Sequence, residues 1–241
     1  MARPMAGLGL DRGGAEGPLI SVIIPILNEA VHLPRTLAAL AGAVGVEVIV
    51  VDGGSQDGSL AIAQAAGAAT LVAGGGRAGQ MNQGAVQARG ELLLFLHGDT
   101  LVPAGFEHWI RHCLDQPGVV AGAFDLAIDG PGWGLRWVEW GVKQRSRWLQ
   151  LPYGDQGLFL RANDFRSLGG FPALPIMEDF ALVQQLRRGG RIARVPLAVL
   201  TSARRWQRLG VGRTTLINQI MVLGYGLGIP PSRLARWYGR L

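Results

Sequence analysis

The feature that most constrains the fold is a regular alternation of strand-like and helix-like segments after residue 19. Four apolar runs that are typical of buried strands alternate with three helical patterns. Strands are predicted at 21–27, 46–52, 69–73 and 91–97, and helices at 31–43, 57–66 and 77–89. Strands and helices at this spacing predict an α/β fold with a mostly parallel sheet and right-handed crossovers.

The pattern changes beyond residue 116, where strands and helices no longer alternate so regularly. Strands are predicted at 118–128, 156–162 and 191–200, and helices at 133–149 and 178–188. No internal repeat or linker interrupts 19–206, so this segment is expected to form one domain with halves at 19–116 and 117–206. Residues 1–18 are expected to form a disordered, Gly-rich leader, and 207–241 a helical tail.

Polar residues follow the predicted strands of the first half. Asn28 and Glu29 follow the first strand, the run from Asp52 to Ser55 ends the second, and "HGD" (97–99) ends the fourth. Ligands of open α/β sheets bind beyond the carboxyl ends of the strands. A cap on the second helix would explain Asp52 or Ser55 alone, but several polar ends on one edge favour a binding site.

Composition limits the partners and the compartment. The net charge of +6 and the pI of about 10.6 favour an anionic partner, although no nucleic-acid-binding motif accompanies the charge. Cys113 is the only cysteine, which excludes an internal disulfide and fits a reducing compartment. The leader lacks the apolar core of a signal peptide, and no apolar run reaches the length of a membrane span. A cytoplasmic location is expected.

Four stretches carry a family resemblance: "SVIIPILNE", "VIVVDGGSQDGS", "GRAGQMNQGAVQARGELLLFLHGDT" and "MEDFALVQQLRR". In this order and spacing they resemble the inverting glycosyltransferases of family 2, over about residues 19–206. Within that family the chain is most similar to the bacterial subgroup labelled selenodomain-associated transferase 2, on its "GDQG" and "TSARRW" stretches. The resemblance implies a GT-A fold, a Rossmann-like sheet flanked by helices, with a nucleotide-binding half at 19–116 and an acceptor half at 117–206.

The resemblance also implies a divalent metal, Mn²⁺ or Mg²⁺, that stabilises the diphosphate leaving group. The family presents an Asp-x-Asp-type pair at the fourth strand, and here that position reads His97-Gly98-Asp99. Only Asp99 matches the metal-binding carboxylate, while Gly98 would allow close approach of the diphosphate. His97 departs from the pattern, and three roles stay open for it: a metal ligand, a partner of the ribose, or a structural histidine.

The remaining donor-binding assignments come from the same resemblance. Asp52 matches the residue that contacts the nucleobase, while Arg77 would bind phosphate and Asn82 the nucleoside. The alternative for both of the latter is the start of a helix. The loop bordering the nucleoside would include Pro25, Asn28 and Glu29.

An inverting transfer also needs a general base for the acceptor hydroxyl. By resemblance that base is Asp179 in "MED", with Glu178 as its neighbour. The competing interpretation is that both acids only complement the positive end of a helix. Four further residues match acceptor-side motifs: Asp155, Gln156, Arg205 and Trp206.

Two other functions stay open. "GGGRAG" (74–79) has the Gly-x-Gly-x-x-Gly spacing of dinucleotide-binding loops, which would suit an NAD(P)-dependent oxidoreductase. The motif follows the third strand rather than the first, and this function leaves Glu178 and Asp179 unexplained. The second open function is that of a catalytically inactive, membrane-associated scaffold that keeps the same fold.

Two segments predict contact with a membrane surface. "TTLINQIMVLGYGLGI" (214–229) is largely apolar, and the helix at 133–149 places Trp133, Trp137 and Trp140 at i, i+4 and i+7 beside basic residues. Trp and Arg on one helix suit the membrane interface. The competing explanation is packing of both segments against the sheet. We expect peripheral attachment to the inner face of the membrane, which is consistent with a lipid-like acceptor.

Overall fold

The sheet predicted from the alternating pattern is the centre of the structure, a computed structural model that describes residues 17–239. The strands are β1 (Ile20–Ile26), β2 (Val46–Asp52), β3 (Ala69–Val72), β4 (Leu92–Phe95), β5 (Thr100–Leu101), β6 (Val119–Asp129), β7 (Leu158–Arg161) and β8 (Arg191–Ser202). The helices are α1 (Leu33–Leu40), α2 (Ser59–Ala65), α3 (Gly76–Gln87), α4 (Phe106–Asp115), α5 (Trp133–Gln144), α6 (Ala162–Ser167), α7 (Glu178–Gly189), α8 (Arg204–Leu209), α9 (Val211–Gly226) and α10 (Pro231–Tyr238).

The strand order is β3-β2-β1-β4-β7-β6-β8-β5, and the two halves of the sheet differ in direction. β3, β2, β1 and β4 are parallel, as the alternating pattern predicts. Beyond β4 the sheet becomes mixed, because β7 is antiparallel to both β4 and β6, while β6 and β8 are parallel. The predicted α/β fold class is confirmed, and the carboxyl ends of β1, β2 and β4 share one edge.

Helices cover both faces of the sheet. α1, α4 and α5 pack on one face, and α3, α6 and α7 on the other. A Cβ at Gly84 would lie 2.5 Å from Cγ2 of Ile23, so only glycine allows α3 to lie this close to β1. That close contact fixes the beginning of α3 beside the carboxyl ends of the strands.

Several predicted boundaries differ from the structure. The α-helix predicted at 133–149 ends at Gln144 and continues as a π-helix over Arg145–Leu149. The strand predicted at 156–162 begins at Leu158, because Gly154–Gln156 forms a turn of 3₁₀-helix. Neither α6 nor the two-residue β5 was predicted. The leader proposed for 1–18 falls almost entirely outside the described residues.

The C-terminal segment consists of α8, α9 and α10, and its inner side packs against the start of α7. A third apolar cluster joins Met177 and Phe180 to Ile217 and Met221 of α9 and Leu234 of α10. The tail is thus part of the domain core on this side. Within residues 17–239, no helix combines the length and the apolar character needed to cross a membrane.

Candidate functional site

A cleft of about 560 Å³ opens where the carboxyl ends of β1 and β4 meet the beginnings of α3 and α7. α8, α9 and α10 close its far side. The cleft brings together eleven of the fifteen predicted site residues, from six separate segments of the chain. These are Pro25, Glu29, Arg77, His97, Gly98, Asp99, Asp155, Glu178, Asp179, Arg205 and Trp206.

At the strand ends, Arg204 links two of the predicted carboxylates. Its guanidinium makes a bidentate ion pair with Glu29, and its Nη2 lies 3.2 Å from Oδ2 of Asp99. The hydrogen bonds that Arg204 donates to Glu29 raise the pKa of Arg204. A Cβ at Gly98 would lie 3.2 Å from Cγ of Glu29, so the backbone between His97 and Asp99 packs tightly against this cluster.

His97 and Arg77 line the cleft between the strand ends and the start of α7. Burial, with the nearby charges of Arg77 and Arg204, lowers the pKa of His97 to about 3. The imidazole is therefore neutral near pH 7 and offers a lone pair. Arg77 projects from the first turn of α3, is exposed, and has no side-chain hydrogen bond within the described range 17–239. Its guanidinium is the group in this cleft best suited to an anionic ligand.

The two acids of "MED" begin α7. Met177, immediately before them, has φ 69°, a left-handed conformation that is uncommon for a long side chain. Oδ2 of Asp179 accepts a hydrogen bond of 2.7 Å from the N–H of Gly154. A Cβ at Gly154 would lie 3.1 Å from that oxygen and 3.4 Å from Nε2 of His97. The fourth-strand motif, the "GDQG" loop and "MED" therefore meet at one point.

Burial and the negative charge of Asp179 raise the pKa values of two further acids in the cleft, Glu178 and Asp155. Burial raises the pKa of Glu178, the charge of Asp179 raises it further, and Arg77 opposes this effect. Burial also raises the pKa of Asp155, to about 6, against the opposing effect of Arg145. Oδ1 of Asp155 is buried without a hydrogen-bond partner among the described residues. An unpartnered buried polar atom of this kind is an exception in folded proteins and needs a structural or functional explanation.

Four predicted site residues do not line the cleft. Oδ1 of Asn28 accepts from the N–H of Gln56, and the carboxylate of Asp52 binds the N–H and hydroxyl of Ser55. Each of the other two holds a loop through side-chain contacts with the backbone. Asn82 bonds both the N–H and the C=O of Phe171, and Gln156 bonds the N–H of Tyr153 and the C=O of Phe124. The ligand roles assigned to these four residues stay predictions.

The structure also adds residues that sequence reasoning missed. Gln80 donates to the C=O of Ile26 and of Val51, at 2.8 Å each, and so joins the ends of β1 and β2 beneath the cleft. Arg204 directly precedes the predicted pair Arg205-Trp206, so its position next to a recognised motif could have identified it from the sequence. The tail residues that line the cleft gave no motif at all: Asn218, Met221, Val222 and Tyr238.

The protein ligands available for a divalent metal are few. Within residues 17–239, no three His, Cys, Asp or Glu side chains are grouped so as to hold a metal ion. Asp99 contributes one carboxylate to the cleft, and neutral His97 lies in the same cleft. Hard divalent cations on phosphate substrates often use only one or two carboxylates and complete their shell with phosphate oxygens and water. These residues fit a metal that binds together with a diphosphate.

Comparisons with known proteins agree with this geometry. Residues 21–166, more than half of the chain, match the family described as Glycosyl transferase family 2. No curated protein matches the chain.

Solved glycosyltransferases share the fold. The mannosyltransferase PcManGT of Pyrobaculum calidifontis, solved with GDP-Man and Mn²⁺, has a TM-score of 0.62 and 21% identity, over 76% of this chain and 56% of its own. TarS 1-349 of S. aureus with UDP-GlcNAc has a TM-score of 0.62 and 20% identity, over 76% and 58%. Glucosyl-3-phosphoglycerate synthase of Mycobacterium tuberculosis, with Mn²⁺ and UDP-glucose, has a TM-score of 0.59 and 21% identity, over 85% of this chain and 78% of its own.

The chain thus spans less than two thirds of the length of the first two of these structures. At such identities the likeness concerns the fold, and it confirms the GT-A architecture expected from the sequence.

Proposed function

The chain belongs to glycosyl transferase family 2, and from that premise we propose that it transfers a sugar from a nucleotide-sugar donor to an acceptor hydroxyl, with inversion at the anomeric carbon. One observation carries the proposal: a single cleft joins an exposed guanidinium, Arg77, and a strand-end carboxylate, Asp99, to a hydrogen-bonded carboxylate, Asp179. Arg77 suits a diphosphate, Asp99 suits the cation that accompanies it, and Asp179 suits a base. Family membership favours this function over the oxidoreductase.

The donor is proposed to bind along the strand ends. Its diphosphate would lie near Arg77 and the backbone of Gly98, both of which line the cleft. The nucleoside would extend towards Pro25 and Glu29, and towards Asn28 in the loop after β1 and Asp52 at the end of β2. Binding of GDP-Man, UDP-GlcNAc and UDP-glucose by the structural relatives supports a donor of this class.

Asp99 is the residue proposed to hold Mn²⁺ or Mg²⁺, with His97 as a second, neutral ligand. When bound, the cation supplies Lewis-acid stabilisation of the negative charge that develops on the departing diphosphate. The chain's own part is to orient Asp99, which the ion pair with Arg204 does at 3.2 Å. The Mn²⁺ present in two structural relatives supports this assignment.

The proposed chemical step centres on Asp179. Hydrogen bonds from the N–H groups of Gly154 and Phe180 fix the two oxygens of its carboxylate, and a remaining lone pair of that carboxylate accepts the proton of the acceptor hydroxyl. The acceptor oxygen forms its bond to the anomeric carbon while the bond to the diphosphate breaks on the opposite side with its electron pair. The products are an inverted glycoside, a nucleoside diphosphate and protonated Asp179. Asp155, Arg205 and Trp206 are proposed to position the acceptor.

We also propose that the protein attaches peripherally to anionic membranes and that its acceptor is lipid-like. Three tryptophans of α5 are exposed, Trp133, Trp137 and Trp140, and the rings of the last two are 5.7 Å apart. α5 contacts α9, which exposes an apolar stripe of Leu216, Ile220 and Leu223. This broad apolar surface beside basic residues suits the headgroup region of a bilayer.

Within the family, placement in the selenodomain-associated subgroup rests on the stretches "GDQG" (154–157) and "TSARRW" (201–206). Both stretches contribute residues to the cleft, including Asp155 from the first and Arg204, Arg205 and Trp206 from the second. The assignment to this subgroup is an inference from these two stretches of sequence.

Calorimetric titration tests the donor assignment. UDP, GDP and their sugar conjugates are titrated with and without Mn²⁺ or Mg²⁺, and NAD⁺ serves as the competing ligand. We expect metal-dependent binding of one nucleoside diphosphate and no binding of NAD⁺. Asp99→Asn should lose the metal dependence while circular dichroism shows an intact fold. Binding of NAD⁺ alone would instead support the oxidoreductase.

Vesicle flotation tests the membrane assignment. The protein is expected to float with phosphatidylglycerol vesicles at low salt and to be released at high salt, because screening weakens surface charge interactions. Trp133→Ser/Trp137→Ser should weaken flotation, whereas Val86→Ser, which changes an exposed apolar residue on the other face of the sheet, should not. A wild-type protein that stays unbound at low salt would refute attachment.

A further inference from the structure

The wall of the cleft opposite the strand ends is mainly apolar, with Asn218 of α9 as a polar residue in it. Ile176 precedes the acids of α7, and Met221 and Val222 of α9 line the same cleft as Asp179. Tyr238 of α10 completes this wall, with its ring 4.0 Å from the guanidinium carbon of Arg205. The strand-end wall, by contrast, presents the charged residues Glu29, Asp99 and Arg204.

The apolar wall is firmly attached to the helix that carries Asp179. Phe180, the next residue, packs edge-on against Tyr225 of α9, with ring centroids 5.7 Å apart. On its other side, the rings of Phe180 and Tyr153 are 6.1 Å apart. Met177 and Met221 join the same buried cluster. The wall therefore holds a fixed position relative to the carboxylate.

The apolar surface of α9 is wider than the side of the helix that packs against the rest of the chain. Ile217, Met221 and Gly224 are buried at i, i+4 and i+7, whereas Leu216, Ile220 and Leu223 are exposed one position earlier. A helix that is apolar over so wide an arc usually has partners on more than one side. Val222 lies beside these stripes and is partly exposed in the cleft.

We propose that Ile176, Met221, Val222 and Tyr238 form an acceptor subsite that binds an apolar chain or ring next to the hydroxyl that receives the sugar. The proposal rests on the proposed function, because it takes Asp179 as the base. The sugars and the diphosphate of a nucleotide-sugar donor are polar, and its aromatic nucleobase is proposed to lie near Pro25 at the strand ends, so the apolar wall is left for the acceptor. The occupant is therefore the apolar part of the acceptor.

The test uses n-alkyl β-glucosides from methyl to octyl, below their micelle concentrations, as probes of the subsite. Binding is measured by calorimetry and saturation-transfer NMR, without donor. Each methylene buried on the wall should tighten binding by up to about fourfold, the value for removing a CH₂ group from water. Methyl glucoside, which has almost no chain, should bind weakly.

Variants locate the binding. Val222→Asn and Ile176→Asn place an amide on the wall and should remove most of the dependence on chain length. Leu223→Asn is the matched control, since it makes the same change on α9 at an exposed residue outside the cleft. UDP and GDP binding is measured in parallel and should not change in any of the three variants.

Each outcome is decisive. Chain-length dependence that Val222→Asn removes and Leu223→Asn retains supports the subsite, whatever the nucleotide titrations show. Binding that does not depend on chain length, or that all three variants weaken equally, overturns it. Failure of nucleotide binding alone would count against the proposed function and leave the alkyl-glucoside result to be judged by itself.

Discussion

The two walls of the cleft differ in chemistry and in how the chain builds them. The strand-end wall is made from loops that follow parallel strands, and it holds its charges in pairs such as Glu29 with Arg204. The helix wall is made from the start of α7 and two tail helices, and it is mainly apolar around Met221 and Val222. Asp179 lies between them, bonded to Gly154.

This difference suggests a division of function between the walls, in which the strand-end wall binds the donor and the helix wall binds the acceptor. A sheet edge collects polar residues from distant parts of the chain with little change of backbone, which suits a donor with a constant diphosphate. A wall of helices can exchange side chains without disturbing the sheet, which suits an acceptor that varies. Three predictions test this division, in order of decreasing effect.

The largest effect is expected at the boundary between the walls. Asp179→Asn should lower transfer by about a hundredfold to ten-thousandfold, the usual loss for a general base, and leave UDP or GDP affinity unchanged. Donor turnover and the anomeric configuration of the product are measured by NMR. The control is Asp115→Asn, which removes an exposed carboxylate at the end of α4. Transfer within a few-fold of wild type would assign the base elsewhere, and the absence of transfer by the wild-type protein would support the inactive scaffold.

A smaller effect is expected on the strand-end wall. Arg77→Gln removes one charge-assisted contact to phosphate, worth about 1.5–3 kcal/mol, so nucleotide affinity should fall by roughly ten- to a hundredfold. Calorimetry with UDP and GDP measures this loss. Arg188→Gln, an exposed arginine at the far end of α7, provides the control for net charge. An equal loss in both variants would show a general electrostatic effect instead of a contact.

The smallest effect concerns stability. Burial raises the pKa of Asp155 from 3.8 to about 6, so the folded protein binds more protons than the unfolded chain between these values. Asp155 therefore costs stability progressively as pH rises through this window. Asp155→Asn should be more stable than wild type at pH 8 by roughly 1–2 kcal/mol, allowing for solvent screening, and equal to it near pH 3.5. Urea denaturation at both pH values measures the difference, and a variant less stable at pH 8 would contradict the assignment.

The two walls also differ in how well the sequence predicts them. The strands ending before Asn28 and at Asp52 and the helix beginning at Glu178 follow from local apolar patterns, and the motifs there could be recognised in a single sequence. The mixed half of the sheet could not be predicted, because pairing between β4 and β7 depends on contacts more than sixty residues apart.

The helix wall shows the same limit more strongly. Residues 214–229 are largely apolar, so periodicity could not distinguish the side that packs on α7 from the side left exposed. Only the packed structure separates Met221, which is 2% exposed, from Leu223, which is 64% exposed. Gln80 was missed for a similar reason, since its hydrogen bonds to Ile26 and Val51 exist only after β1 and β2 pair.

The most direct test of the division between the walls is a crossed titration of Arg77→Gln and Val222→Asn with two ligands. One ligand is the nucleoside diphosphate, UDP or GDP, that binds the wild-type protein, and the other is octyl β-glucoside below its micelle concentration. We expect Arg77→Gln to weaken only the nucleotide and Val222→Asn to weaken only the glucoside. If either variant weakens both ligands to a similar extent, the two walls do not bind separate substrates and the account is wrong.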